Sequence, residues 1–324
     1  MNMEMPSSER NPTGIEKGRI QKTTADNGYR WRSKHLGSIL LAIPAVFFNV
    51  VFLIAPLIVV LYYSLQQSSL EFVAQGNGGL SFSNYSYFFS QPYYQGIIFR
   101  SLRLSALATV GSLVIGYVTS LVLRGMAEKL GSTPVLILSF PILCGPIVTI
   151  MGWMGMMTSK GVLGHIIALV NSLPLFPDIP TLLLGTDAAV VIGMIHFNLT
   201  FVIFNLVNVM FVIPRELEEA AMVLGASRWQ VFRCILWPLS LPGVFAASLI
   251  SFALSMSSFV TPSYLGNAAR PILTTQISKF MFSTYNWQLA STASVVLLVI
   301  SLIIVILQSM AFRRVSTLKR WVGE

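Results

Sequence analysis

Long apolar runs alternate with short polar connections along this chain. A helix that crosses a bilayer needs roughly 20 largely apolar residues, and six stretches meet that length: 38–65, 99–124, 134–158, 183–213, 241–265 and 287–312. Ahead of them, residues 1–35 are polar, basic and rich in Ser, Thr, Asn and Gly. Such a composition cannot bury enough apolar surface to form a core, so this segment is expected to be a disordered tail. It does not read as a signal peptide, because the apolar stretch behind it is too long and no cleavage pattern follows. The pattern therefore predicts an all-α integral membrane protein: a tail 1–35, a six-helix transmembrane domain 36–313 with a polar island at 214–238, and a short basic tail 314–324.

Composition supports the same class. With 54% hydrophobic and 10% charged residues in 324, the chain is too apolar for a soluble domain of its size. Lys and Arg set the orientation. If both termini are cytoplasmic, sixteen fall on that side and five outside, namely Arg100, Arg103, Lys160, Arg270 and Lys279. The net charge of +9 then follows from topology and contact with anionic lipid, and calls for no nucleic acid.

The island reads PRELEEAAMVLGASRWQVFRCILWP from Pro214 to Pro238. Pro214 suits a first helical position. Glu216, Glu218 and Glu219 fall where the helix dipole favours carboxylates. Leu217, Ala221 and Leu224 recur at i, i+4 and i+7, one narrow apolar face. Gly225 can take the left-handed conformation that closes a helix. Ser227 with Gln230 reads as a capping box opening a second helix, which Pro238 is expected to stop. Two short helices joined by a turn should lie at the membrane surface, with small alanines where another protein could approach. An amphipathic loop helix resting on headgroups is the plainer alternative.

Glu219-Ala220-Ala221, Gly225, Ile235 and Pro238 together resemble the cytoplasmic "EAA" loop of permease subunits of ATP-binding-cassette (ABC) importers, with Trp237 where that family usually has Leu. The likeness extends along most of the apolar part of the chain. Ser81-Phe82-Ser83-Asn84-Tyr85, Phe88-Phe89, Pro92-Tyr93, Ser101-Leu102, Gly116-Tyr117, Trp153-Met154, Gly161-Val162-Leu163 and Phe259-Val260-Thr261-Pro262 are similar, in that order, to the first permease subunit of spermidine/putrescine systems within the polyamine, opine and phosphonate group. The resemblance implies a type I importer permease with a coupling helix between helices 4 and 5, in a bacterial inner membrane. Its implied partners are a second, different permease, two ATPase subunits that bind ATP and Mg, and a solute-binding protein outside. It also implies that Glu219, Ala220, Ala221, Gly225, Leu217 and Leu224 meet the ATPase: Glu219 as a docking charge, Ala220 for close approach, Gly225 for the turn.

Absences narrow the function. No GxxxxGK[S/T] phosphate loop occurs, so ATP must be bound elsewhere and the chain is not expected to be an enzyme. All twelve acidic residues lie in tails, loops or segment ends, whereas an ion-coupled secondary transporter carries ionisable groups at membrane depth. A secondary transporter or channel, the alternative reading, also leaves the island unexplained. Cys144 and Cys234 have no partner on one side of the membrane and are expected to be buried or half-buried thiols. His35, His165 and His196 lack metal-ligand spacing.

Several side chains are candidates for the solute path. Ser248, Ser251, Ser255 and Ser258 share one helical face, suited either to a polar path or to close helix packing, and Thr261 and Pro262 follow. Trp153 could gate a substrate or anchor at the interface. His196 and Asn198, polar at membrane depth, are either solute contacts or interhelical hydrogen bonds. Thr149 stands where many polyamine-type relatives have Arg, and the outer loops are slightly positive, which leans toward anionic or zwitterionic solutes.

Overall fold

The computed structural model describes residues 44, 46–66, 79–130, 144–172 and 180–321. Regular structure among them is helical, apart from one antiparallel bridge between Gln66 and Leu80. The tail 1–35 and parts of the first and third expected spans, 38–43 and 134–143, lie outside the described residues. The chain divides into two units, Met1–Val59 and Val60–Glu324. In the first, residues 46–59 are helical and form part of α1 (Val46–Leu65). The second carries α2 (Ser83–Ser90), α3 (Pro92–Leu130), α4 (Pro146–Met157), α5 (Val162–Asn171), α6 (Asp187–Val212), α7 (Glu216–Val223), α8 (Arg228–Val231), α9 (Trp237–Ser257), α10 (Val260–Leu265), α11 (Leu273–Phe282) and α12 (Trp287–Trp321).

Among the described residues six helical segments are long and apolar enough to cross a membrane, and the second, third and fifth depart most from the expected bounds. The second begins at Pro92, because Pro92 to Ile98 extend α3 ahead of Arg100 and Arg103. The third was expected at 134–158, but its described part runs Pro146–Asn171. Gly145, at φ 71°, turns the chain in, and Pro146 sits in the first helical turn, where a missing N–H costs nothing. After Met157 the chain turns through Gly161 and continues as α5.

The fifth segment carries the clearest correction. Pro238 does not stop the helix: Arg228–Ser257 is helical throughout, with a π turn at Phe232–Leu236 where Trp237 N–H donates to Phe232 O. A proline ring collides with the carbonyl four residues back and supplies no N–H. The wider π turn absorbs both problems just ahead of Pro238. The helix ends at Ser257, and α10 follows after a break at Ser258 and Phe259.

The packing of α3, α6 and α9 explains their small residues. A Cβ on Gly111 or Gly116 of α3 would lie 2.5 Å from Ile195 Cδ1 or 2.6 Å from Val202 Cγ1 of α6. One on Gly243 of α9 would meet Val209 Cγ2 at 2.6 Å. Hydrogen bonds tie the same helices: Ser112 Oγ to Ser251 Oγ at 2.8 Å, Tyr117 OH to Ser240 Oγ at 2.9 Å, and Asn198 Nδ2 donating to Ser255 Oγ at 2.7 Å. In hydrocarbon there is no water to satisfy such groups, so they face inward.

The aromatic motif after α1 has a structural task. Asn84 is buried and donates from Nδ2 to Ser64 O at 3.0 Å and Gln66 O at 2.6 Å, satisfying carbonyls at the end of α1. Tyr85 OH meets Ser64 Oγ at 2.7 Å, and Phe88 stacks on Tyr94 with centroids 4.6 Å apart.

Candidate functional site

Two polar clusters mark the two ends of α3. Near its start, Asp187 at the head of α6 pairs with Arg100, and with Arg103 at 2.5 Å. Twenty-four residues on, about 36 Å along a helix rising 1.5 Å per residue, the guanidinium of Arg124 pairs with Glu218 Oε1 at 2.6 Å. The second cluster holds the island.

The island is a helix, a turn and a helix. Pro214 stands two residues ahead of α7, since Arg215 is the N-cap, and Glu216, Glu218 and Glu219 occupy the first turn. At the far end Gly225 has φ 86°. Its N–H donates to Met222 O and that of Ala226 to Ala221 O, both at 3.0 Å. That pair of bonds is a Schellman motif. Ser227 and Gln230 then form a reciprocal box, with Ser227 N–H donating to Gln230 Oε1 at 2.7 Å and Gln230 N–H to Ser227 Oγ at 3.3 Å.

None of the residues of α7 is buried. Leu217 is 46% exposed, Val223 87%, Leu224 88% and Trp229 66%. Ala220 is exposed and Ala221 half-buried. Of the apolar face predicted from Leu217, Ala221 and Leu224, Leu217 and Leu224 therefore stay exposed and only Ala221 is partly covered among the described residues. Cys234, expected to be sheltered, is exposed in the π turn, while Cys144 is half-buried, and both are free thiols.

The path candidates separate into two groups. Trp153 and His196 come together, edge to face with centroids 5.4 Å apart, in the wall of a cavity of about 240 Å³ between α4 and α6. Thr149, Ile150, Phe197 and Phe201 complete most of that wall, and His196 Nε2 is buried without a hydrogen-bond partner. Asn198, Ser251 and Ser255 are elsewhere, buried in the interhelical bonds described above. Thr261 is buried, its methyl carbon 2.7 Å from where a Cβ on Gly193 would stand. At Ser258 the carbonyl accepts from Thr274 Oγ1 at 2.8 Å. No group of three His, Cys, Asp or Glu able to hold a metal occurs among the described residues.

Sequence reasoning missed Arg124. It was counted only as one more positive charge, yet it is 6% exposed and links α3 to α7. Its position as the one cation at the inner end of the apolar run that follows Arg103 was the available signal.

A family model described as "Binding-protein-dependent transport system inner membrane component" matches residues 29–317. The chain is 26% identical over 209 residues to the spermidine/putrescine transport system permease protein PotB of Salmonella typhimurium (strain SL1344), covering 64% of this chain and 71% of that protein. It is 26% identical over 226 residues to PotB of Haemophilus influenzae, covering 70% and 77%. Among solved structures, a chain of a bacterial ABC transporter involved in the import of the acidic polysaccharide alginate superposes with a TM-score of 0.66 at 19% identity, covering 88% of this chain and 99% of that one.

Proposed function

The chain belongs to the family of binding-protein-dependent transport system inner membrane components, and from that premise we propose how its parts work. The chain is a type I ABC importer permease, a multi-pass membrane subunit whose ATP hydrolysis belongs to a separate protein. Its solute is a small polar molecule of the polyamine, opine or phosphonate class, received from a binding protein outside and released into the cytoplasm. It pairs with a second, different permease above two ATPase subunits. Both termini and the island lie on the cytoplasmic side, as the sixteen-to-five distribution of basic residues supports.

The observation that carries this reading is α7. A helix whose eight residues are all unburied, closed by a left-handed glycine and flanked by exposed Leu224 and Trp229, needs a protein to cover it. Leu217, Ala220, Ala221 and Leu224 form the contact, Glu219 supplies the docking charge, and Gly225 sets the bend into α8. ATP-driven closure of the ATPases moves this element and opens the permease pair outward, and loss of the hydrolysis products returns it. Trp153 and His196 border the solute route between α4 and α6. Asn198, Ser251, Ser255, Ser258 and Thr261 hold the helices that line it.

The test is ATP hydrolysis by the complex reconstituted from this chain, its genome-neighbour permease, the ATPase and the binding protein, with polyamines, aminophosphonates and opines added in turn. Stimulation by one loaded binding protein is expected. Failure of any ATPase to assemble with the chain would overturn the reading in favour of a channel or secondary transporter.

A further inference from the structure

We infer that Arg124 is a positioning residue that ties the movement of α7 to α3. The inference rests on the proposed coupling role of α7 and adds the route by which its displacement enters the membrane domain.

Since α7 fully buries none of its own residues, apolar packing holds it only weakly to the helices above. Polar bonds hold it instead, and they converge on one residue. Arg124 Nη2 pairs with Glu218 Oε1 at 2.6 Å and donates to Ile213 O at 2.8 Å. In return Arg215 Nη2 donates to Arg124 O at 2.6 Å. Ile213 and Arg215 flank the joint between α6 and α7, and Glu218 lies in the first turn of α7. One guanidinium thus grips both sides of that joint, while its own backbone is held from the joint's far side. Charge-assisted bonds of this kind are shorter and stronger than neutral ones, and burial at 6% exposure shields this one from screening.

The grip has slack. Arg124 itself lines a cavity of about 210 Å³ together with Leu121, Gly125, Glu218, Glu219 and Met222 among others, and its Nη1 has no partner among the described residues. The cavity leaves α7 room to shift while Nη2 stays engaged, so that a push on α7 draws the end of α3 with it. Because α3 lies against both α6 and α9, the displacement reaches the centre of the domain.

The test uses the complete reconstituted importer with Arg124→Gln, Arg124→Lys, Glu218→Gln and the exchange Arg124→Glu with Glu218→Arg. ATPase co-purification, ATP hydrolysis and solute uptake are measured for each. Arg124→Gln and Glu218→Gln are expected to keep the ATPase bound but to raise the ATP hydrolysed per solute imported about tenfold. Arg124→Lys is expected to recover most of the coupling, and the exchange only the part carried by the charge pair, since a carboxylate at 124 cannot donate to Ile213 O. Loss of ATPase binding in Arg124→Gln and Glu218→Gln would reduce the pair to a support for the docking surface and overturn the inference. Wild-type stoichiometry in both would overturn it equally. Absence of ATPase binding in the wild-type complex would instead strike the proposed function itself.

Discussion

Substituting Gly225 isolates a backbone effect from every contact effect. The residue sits at φ 86°, and a Cβ added there meets no atom within 4 Å. Steric exclusion therefore contributes nothing, and the cost is that of holding an L-residue left-handed, about 1–2 kcal/mol for ordinary side chains and least for Asn. One to two kcal/mol is a factor of roughly 5–30 in the population of the closed turn. The two Schellman bonds at Gly225 and Ala226 would open in that proportion, and α7 would lose its fixed angle to α8. Uptake by proteoliposomes carrying the full importer should fall about tenfold for Gly225→Val, less for Gly225→Ala and least for Gly225→Asn. Membrane levels of all three should equal the wild type. The reasoning fails if Asn and Val are equally impaired, since conformation would then not be the variable, or if Val imports as well as Gly.

Three further predictions draw on other parts of the chain. Gly243→Val should destabilise the purified protein by about 1–3 kcal/mol through overpacking, because the new side chain overlaps Val209; Val209→Ala should restore the melting temperature, and no rescue would refute the α6–α9 contact. Trp153→Ala should more than halve uptake while loaded binding protein still stimulates ATP hydrolysis, whereas equal loss of both would remove Trp153 from the solute route. In a Cys144→Ser background, Cys234, exposed in the π turn, should react with an impermeant maleimide in inside-out vesicles of the permease without its ATPase, and not in right-side-out ones; the reverse result would invert the orientation.

What the sequence could reveal depended on range. The Gly225 turn and the Ser227–Gln230 box were legible because each is decided by bonds spanning three to five residues. The apolar spans were legible because bilayer thickness fixes their length. Pro238 was misread because the rule that proline ends a helix ignores a π turn, which here lets the helix run on into α9. The third span runs further than expected because α5 carries helix on past Met157 to Asn171, whereas residues 134–143 of the expected span lie outside the described residues. The serine stripe could not be assigned from one helix, since its partners Ser112 and Asn198 lie 139 and 57 residues away. Arg124 and Glu218 were invisible as a pair for the same reason, each having an adequate explanation alone.

The uninterrupted run from Arg228 to Ser257 makes the fifth span a lever. Thirty residues at 1.5 Å each give a rod of about 45 Å. A partner that leans on Trp229 and tilts the rod by about 5° about its midpoint swings each tip through ~2 Å. Two ångströms is on the scale of the helix shifts that switch packed interfaces from one arrangement to another. Had Pro238 broken the helix, the same push would have been lost in a flexible joint at the membrane surface. With the π turn ahead of Pro238, and the helix continuing through Pro242, a force applied at Trp229 would be carried to Ser255 and beyond.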